Sequence, residues 1–392
     1  MKITAIISEY NPFHNGHAYH IRKTREAEPD SSIVCIMSGQ FVQRGEPAIA
    51  DKWSRTRTAL CNGADAVFEL PFLFATQSAE GFATGAVRIA DALRCVTHLS
   101  FGAETADIDA LSACADLLTQ KQAQLDSLIK SEMDKGLSYP SARANAIQSV
   151  APGQMHKLID SPNNILAVEY LKALKKTGST IMPMCVGRKG GGYNDPLLPD
   201  GFASATALRS EITQNGYSAQ LAKYMPDMDF APLTDMDAYT RLVLCRLRQM
   251  DTDAISKIAE VTEGLEHRIK KAANLPLDVD SLAMQIKSKR YTYTRLKRIL
   301  LYCLLDVKKE TLRRANDGTY GLYARLLGFR KESEPLISCI TQKSTIPVLT
   351  KKTDFFENAM LRYDIESSDV YALLNTKILP GGQDFTQKLI VI

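Results

Sequence analysis

Short apolar runs alternate with amphipathic segments through the first 103 residues, and this alternation restricts the fold more than any other feature of the chain. ITAII reads as a strand, NGHAYHIRKTREAE as a helix, SIVCIMSG as a strand, KWSRTRTALCNG as a helix ending at Gly63, DAVFELP as a strand, SAEGFATGAVRIADAL as a helix and THLSFG as a strand. Apolar runs of about 5 residues separated by helical segments of ~12 indicate βαβ units and a parallel sheet. Right-handed crossovers then wind helices onto both faces. Residues 108–134 and 164–178 continue the pattern as helices, TIMPMCVGR (180–188) as a strand, and residues 190–202 as a Gly- and Pro-rich loop. Beyond residue 225 the character changes. The segment 224–237 mixes prolines with acids, as a linker does, and DAYTRLVLCRLRQM, DAISKIAEVTEGLEHRIKKAAN and YTRLKRILLYCLLDV have helical spacing, with short strands expected near TIPVLT. The expected organisation is therefore an α/β domain over residues 1–225 and a mainly α-helical domain over residues 226–392, in keeping with roughly 150 residues per domain.

Several classes are disfavoured. No run approaches the ~20 apolar residues of a membrane helix. The opening MKITAIISEYNPFHNGH runs from a short apolar segment into polar residues, so it reads as a strand and not as a signal peptide. The eight cysteines, Cys35, Cys61, Cys95, Cys114, Cys185, Cys245, Cys303 and Cys339, form no CxxC pair. Scattered in this way they read as reduced thiols of a cytoplasmic protein, not as a disulfide framework or a zinc ribbon.

EYNPFHNGHAYHI (9–21) follows the first strand and holds His14, His17 and His20, half of the chain's six histidines. In open α/β sheets ligands bind at the carboxyl ends of strands, beside helix N-termini. Asn15 is the expected cap of the following helix, and Gly16 lets a ligand approach the backbone. His14 and His17, at i and i+3, point the same way. Free N–H groups and the positive helix end favour an anion. Two imidazoles there suit a phosphate whose charge grows in the transition state. A metal site is not supported, because no carboxylate or cysteine falls at a matching spacing. His98, His156 and His267 read as structural.

FASATALRSEI (202–212) places Ser204 and Thr206 before a helix with Arg209 just inside it. Hydroxyls, N–H groups and a guanidinium together suit a polyphosphate. MSGQFVQRGEPAI (37–49) follows the second strand, and its Arg44 suits a carboxylate such as acetate or an RNA phosphate. Charge is uneven: residues 287–331 carry thirteen basic and three acidic residues. Within them, Lys287, Lys289, Arg290, Arg295, Lys297 and Arg298 could meet phosphates and Tyr291 and Tyr293 could stack on bases, with Lys308, Lys309, Arg313, Arg314, Arg325 and Arg330 extending the surface. The bland alternative is a solvated amphipathic helix.

A strand followed by HxGH, with a later SxTxxR-like helix start, resembles the HIGH-type nucleotidyltransferase superfamily, whose members attack the α-phosphate of a nucleoside triphosphate. EYNPFHNGHAYHI, MSGQFVQRGEPAIADKWSRTRTAL, GADAVFELP, SFGAE and SPNNILAVEYLKAL, with RLKRILLYCLL and YARLLGFR later, resemble the bacterial tRNA(Met) cytidine acetate ligases. The resemblance implies a Rossmann-like catalytic domain and a tRNA-binding helical domain. It implies an ATP-dependent ligase that forms acetyl-adenylate and passes acetyl to N4 of the wobble cytidine of elongator tRNA(Met). His14 and His17 would be catalytic. Ile7, Ser8, Glu9, Tyr10, Asn11, Pro12, Phe13, His14, Asn15, Gly16, His17, Ala18, Tyr19 and His20 would cradle ATP, with Gly102, Asn163 or Asn164, Arg188, Ser204, Thr206 and Arg209. Lys289, Arg290, Arg295, Lys297 and Arg298 would meet tRNA. Mg2+ is expected with ATP, to neutralise its phosphates. Acetate is the co-substrate, and neither a membrane nor a protein partner is implied. The rivals are an adenylyltransferase for a small metabolite and a non-enzymatic RNA-binding protein.

Overall fold

The structure is a computed structural model of the 392-residue chain and describes residues 1–151, 153, 155–189, 201–218, 220–228, 233–262 and 264–392. Most of the loop expected over 190–202 and part of the linker expected over 224–237 lie outside the described residues.

Five adjacent strands of the sheet run parallel to one another: β1 (Lys2–Ser8), β2 (Ser31–Ser38), β5 (Ala66–Leu70), β6 (His98–Ala103) and β7 (Met182–Gly187). Two-residue strands β3 (Phe41–Val42) and β4 (Glu46–Pro47) make a separate hairpin. The chain closes with β8 (Ala324–Phe329), β9 (Val348–Leu349) and β10 (Ile390–Val391). The order β10-β8-β5-β2-β1-β6-β7 reverses direction at β1, so the crevice beside β1 and β6 is the topological switch point.

Period-2 burial explains why these runs are strands. Ile3 and Ala5 on β1, Val34 and Ile36 on β2, and Ala66, Phe68 and Leu70 on β5 enter one core. Ile6, Ile33, Cys35, Met37 and Val67 enter the core on the other face. A sheet covered on both sides needs such near-continuous apolar strands.

The sheet also crosses the position where the sequence changes character. β8, from the second half, pairs antiparallel with β5, and the larger core runs from Ile3 to Leu374. Only a short strand near TIPVLT was expected in this half, and β9 lies there. β8 was not expected. An ion cluster accompanies it: Lys52 Nζ lies 2.7 Å from Glu69 Oε1 and 2.7 Å from Asp384 Oδ1, and Arg325 Nη1 lies 3.1 Å from Glu69 Oε2 and 2.7 Å from Asp384 Oδ1. Glu69 also accepts hydrogen bonds from both cations. The expected helix 108–134 is two, Ile108–Gln120 and Gln122–Asp134, and the expected helix within 253–274 is likewise two, Thr252–Ser256 and Leu265–Ala272. Among the described residues no helix is long and apolar enough to cross a membrane.

Candidate active site

β1 ends at Ser8, and the chain turns through residues 9–13 into the helix Asn15–Ala27. His14 caps that helix. Its Nδ1 accepts from the Gly16 N–H at 3.0 Å, and His17 Nδ1 accepts from the His14 N–H at 3.2 Å. Two histidines therefore close a capping box that Ser and Glu usually make. This corrects the expectation for Asn15, which is the first helical residue. Its Nδ2 instead donates to the carbonyls of Gly201, at 2.9 Å, and Lys223, at 2.8 Å. Gly16 has a local reason as well: a Cβ there would stand 2.8 Å from His14 Cε1, so any side chain would push the capping ring away.

The two imidazoles stack with centroids 3.8 Å apart. Because each Nδ1 accepts a backbone N–H, the proton of each neutral ring sits on Nε2, which makes Nε2–H a donor. Burial, with help from the Arg188 and Arg209 charges, pushes the His14 pKa down to about 3. Burial and Arg188 push His20 down to about 4, and burial followed by the His14 charge holds His17 well below its ordinary value. All three rings are neutral near pH 7.

This has a consequence for stability. His14 binds a proton in the unfolded chain below an ordinary pKa of roughly 6.5 but not in the folded one until about pH 3. Folding stability is therefore complete above the unfolded pKa and falls as pH drops through that window, by about 1.4 kcal/mol per pH unit for this one proton. His14→Asn, which keeps a capping acceptor, is expected to flatten the slope of urea-unfolding free energy against pH by one proton's worth.

Beside the histidines lies a cleft of about 390 Å³, at the carboxyl ends of β1, β6 and β7. Ile7, Ser8, Glu9, Tyr10, His14, Gly16, His17, Tyr19 and His20 line it, with Gly102, Asn163, Arg188 and Ser204 from the expected set. Asn163 faces the cleft, its Oδ1 accepting from Arg188 Nη1 at 3.3 Å. Asn164 does not: it is buried, and its Oδ1 accepts from the Thr105 N–H at 3.0 Å. Asn11, Pro12, Phe13, Asn15 and Ala18 shape the loop and the helix start without lining the cleft. Asn11 Oδ1 accepts from the Ile49 N–H at 2.8 Å, and its carbonyl accepts from Arg209 Nη1 at 2.7 Å. Thr206 and Arg209 also stand behind the wall. Arg209 Nη2 donates to Thr206 Oγ1 at 3.4 Å and lies 3.7 Å from Glu46 Oε1. Ser204 caps the helix Ala205–Asn215 through the Ala207 N–H.

Phe82, Phe101, Leu166, Tyr170 and Thr294 line the cleft although nothing in the sequence singled them out. The first four look like ordinary core residues of their helices and strand. Arg44, noted for its place after β2, lines it too, together with its neighbour Gln43. Among the described residues no group of three His, Cys, Asp or Glu could hold a metal. Magnesium would enter as a complex with phosphate oxygens and water.

Comparison with known proteins agrees with this geometry. The HIGH Nucleotidyl Transferase family matches residues 1–384. A tRNA(Met) cytidine acetate ligase of Acetivibrio thermocellus is 38% identical over 416 residues, spanning 100% of both chains, and one of Thermoanaerobacter sp. is 37% identical over 405 residues, again spanning 100% of both. The chain belongs to the tRNA(Met) cytidine acetate ligase family. Among solved structures, Thermotoga maritima TmcAL bound with alpha-thio ATP superposes with a TM-score of 0.88 at 30% identity, covering 100% of this chain and 99% of that one. The apo form of that protein gives 0.90 at 30% identity, covering 100% of both.

As a member of the ligase family, the chain was expected to offer a basic RNA face, and the structure divides those residues. Lys289 and Arg290 are exposed, and Arg295 is half-buried with its Nη2 donating to the Glu260 carbonyl at 2.8 Å. Lys297 and Arg298 are not on that face. They are 5% and 6% exposed, because Lys297 Nζ sits 2.7 Å from Glu46 and 3.0 Å from Asp280, and Arg298 pairs with Glu260 at 3.0 Å. Arg325 is withdrawn likewise into the ion cluster under β8. Tyr291 is buried with its hydroxyl on Thr262, so its ring does not stand out to stack on a base, whereas Tyr293 is half-buried and donates to Asp280 at 2.6 Å.

Proposed function

We propose that this chain is an ATP-dependent acetate ligase that forms acetyl-adenylate and transfers acetyl to N4 of wobble cytidine 34 of elongator tRNA(Met), giving N4-acetylcytidine. One observation carries the reading: a pair of neutral, stacked histidines at the switch point of the sheet, each with its proton on Nε2, bordering a cleft of nucleotide size.

In the first step an acetate oxygen attacks the α-phosphorus and pyrophosphate leaves in line. Negative charge grows on the α-phosphate oxygens, and preorganised Nε2–H donors from His14 and His17 stabilise it. Neutral donors serve this role without a proton changing hands, in keeping with the depressed basicity of both rings. Arg188, braced by Asn163, supplies positive charge on the β6–β7 side of the cleft, and the helix capped by Ser204 supplies N–H groups for the outer phosphates. Thr206 and Arg209 act behind that wall by holding the 9–13 loop. Arg44 is the cation for the acetate carboxylate. Magnesium offsets charge on the phosphates when bound. The protein works in the cytoplasm, where its tRNA is.

Acetate-dependent exchange of labelled pyrophosphate into ATP tests the first step. For the RNA face, Lys289→Glu with Arg290→Glu is expected to weaken tRNA binding and to lower the slope of log affinity against log salt by about 1 for each phosphate no longer held. Exchange in the absence of tRNA stays at the wild-type rate. A salt titration of tRNA binding reads the difference.

A further inference from the structure

The two halves of the reaction differ in what they ask of a proton. Acetate attacks phosphorus as an anion, so adenylate formation needs no base. The N4 amine of cytosine is a poor nucleophile, because its lone pair is delocalised into the ring. As its bond to the acetyl carbon forms, the carbon–oxygen bond to AMP breaks, AMP leaves with that electron pair, and N4 must shed a proton. The group that takes this proton must border the cleft and hold an available lone pair at neutral pH.

Of the described residues that line the cleft, the histidines do not qualify. Nδ1 of His14 and of His17 is occupied by a backbone N–H, and His20, bonded through Nε2 to Ser100 Oγ at 2.9 Å, has its pKa pushed down to about 4 by burial and the Arg188 charge, which leaves it a weaker base than a glutamate raised by burial. Arg44, Arg188 and Lys189 are cations, and the tyrosines carry their protons. One carboxylate remains among these lining residues, Glu9. It is the first residue after β1. Its Oε1 accepts from the Gln43 N–H at 2.7 Å, and its carbonyl accepts from Arg55 Nη1 at 2.7 Å, so both the side chain and the backbone are held. Burial raises its pKa, against the pull of Arg209 and Arg44, which makes it a better proton acceptor than an ordinary glutamate.

Its side of the cleft is also the side from which RNA would come. The anchor Gln43 sits in the β3–β4 hairpin. Gly45 of that hairpin, with φ +76°, packs so tightly on the helix Tyr293–Leu304 that a Cβ would stand 2.4 Å from the Arg298 nitrogen, and Glu46 pairs with Lys297 of the same helix. Thr294, in the first turn of that helix, lines the cleft, and the exposed Lys289 and Arg290 lie just before it. We propose that Glu9 is the general base of acyl transfer, accepting the N4 proton as acetyl passes from acetyl-adenylate to the cytidine. The assignment rests on the ligase reading above.

Glu9→Gln tests it, since the amide oxygen can still accept from Gln43. Because Glu9 also lines the ATP cleft, both variants are read as a difference between the two steps, with exchange and hydroxylamine trapping measured at saturating ATP and acetate. In Glu9→Gln, single-turnover transfer of acetyl to tRNA should fall roughly 10²–10⁴-fold more than pyrophosphate exchange does. In Glu9→Asp, which keeps the acid but withdraws it by one carbon, transfer should fall about tenfold more than exchange. Equal falls in exchange and transfer in either variant, or transfer at the wild-type rate in Glu9→Gln, overturn the assignment. A wild-type protein that exchanges pyrophosphate with acetate yet acetylates no tRNA overturns the ligase reading instead, and the base with it.

Discussion

Replacing His14 with Asn lowers kcat for acetate-dependent pyrophosphate exchange by roughly 10²–10³-fold, or about 2.7–4 kcal/mol of transition-state stabilisation. One ring performs two separable jobs. Nδ1 caps the helix by accepting from Gly16, and Nε2–H faces the cleft as a donor. Asn replaces the first function, being among the best capping residues, and cannot present a donor at the position of Nε2. The fold should therefore survive while the chemistry suffers. His17→Asn should act similarly, and the double variant should lose less than the product of the two, because both donors serve one developing charge. KM for ATP should move far less than kcat, since the donors matter most when α-phosphate charge peaks. An unchanged kcat in both single variants would reduce the histidine pair to a helix cap.

The largest stability effect is expected at Arg325. Arg325→Met leaves Glu69 and Asp384, 2% and 4% exposed, with Lys52 as their one remaining cation in the cluster. Breaking a buried pair by removing one partner costs about 3–5 kcal/mol, because the partner's charge stays buried without compensation. The loss should appear in urea unfolding as a lower midpoint with the slope unchanged, since the same surface is exposed. Replacing all four charged residues with apolar ones of similar size should restore much of the stability. These residues come from the helix Lys52–Cys61, β5, β8 and the helix Gln383–Thr386, so the variant should loosen the attachment of the second half to the sheet, not the crevice at β1.

What could be read in advance follows from how local each signal is. The parallel strands announce themselves as short apolar runs, each complete within itself, and the HxGH loop by its place after the first of them. β8 does not, because ARLLGF sits among helices and its strand partner, β5, lies more than 250 residues earlier. Lys297 and Arg298 look like solvent-facing cations because their acids, Glu46 and Glu260, are distant in sequence. Asn15 outranks histidine as a capping residue by propensity. Only the reciprocal bonds between His14 and the first helical turn reveal that the histidine caps. Asn163 and Asn164 are neighbours on one helix start, and their opposite directions depend on Glu104 and Thr105, supplied by the end of β6.

The most direct test of the ligase reading is transfer of label from acetate to tRNA by the purified protein, with ATP present and acetyl-CoA absent. The expected result is label in N4-acetylcytidine of elongator tRNA(Met), with AMP and pyrophosphate released, and loss of that label in His14→Asn and His17→Asn. Pyrophosphate release with another small acceptor and no label in any tRNA would contradict it.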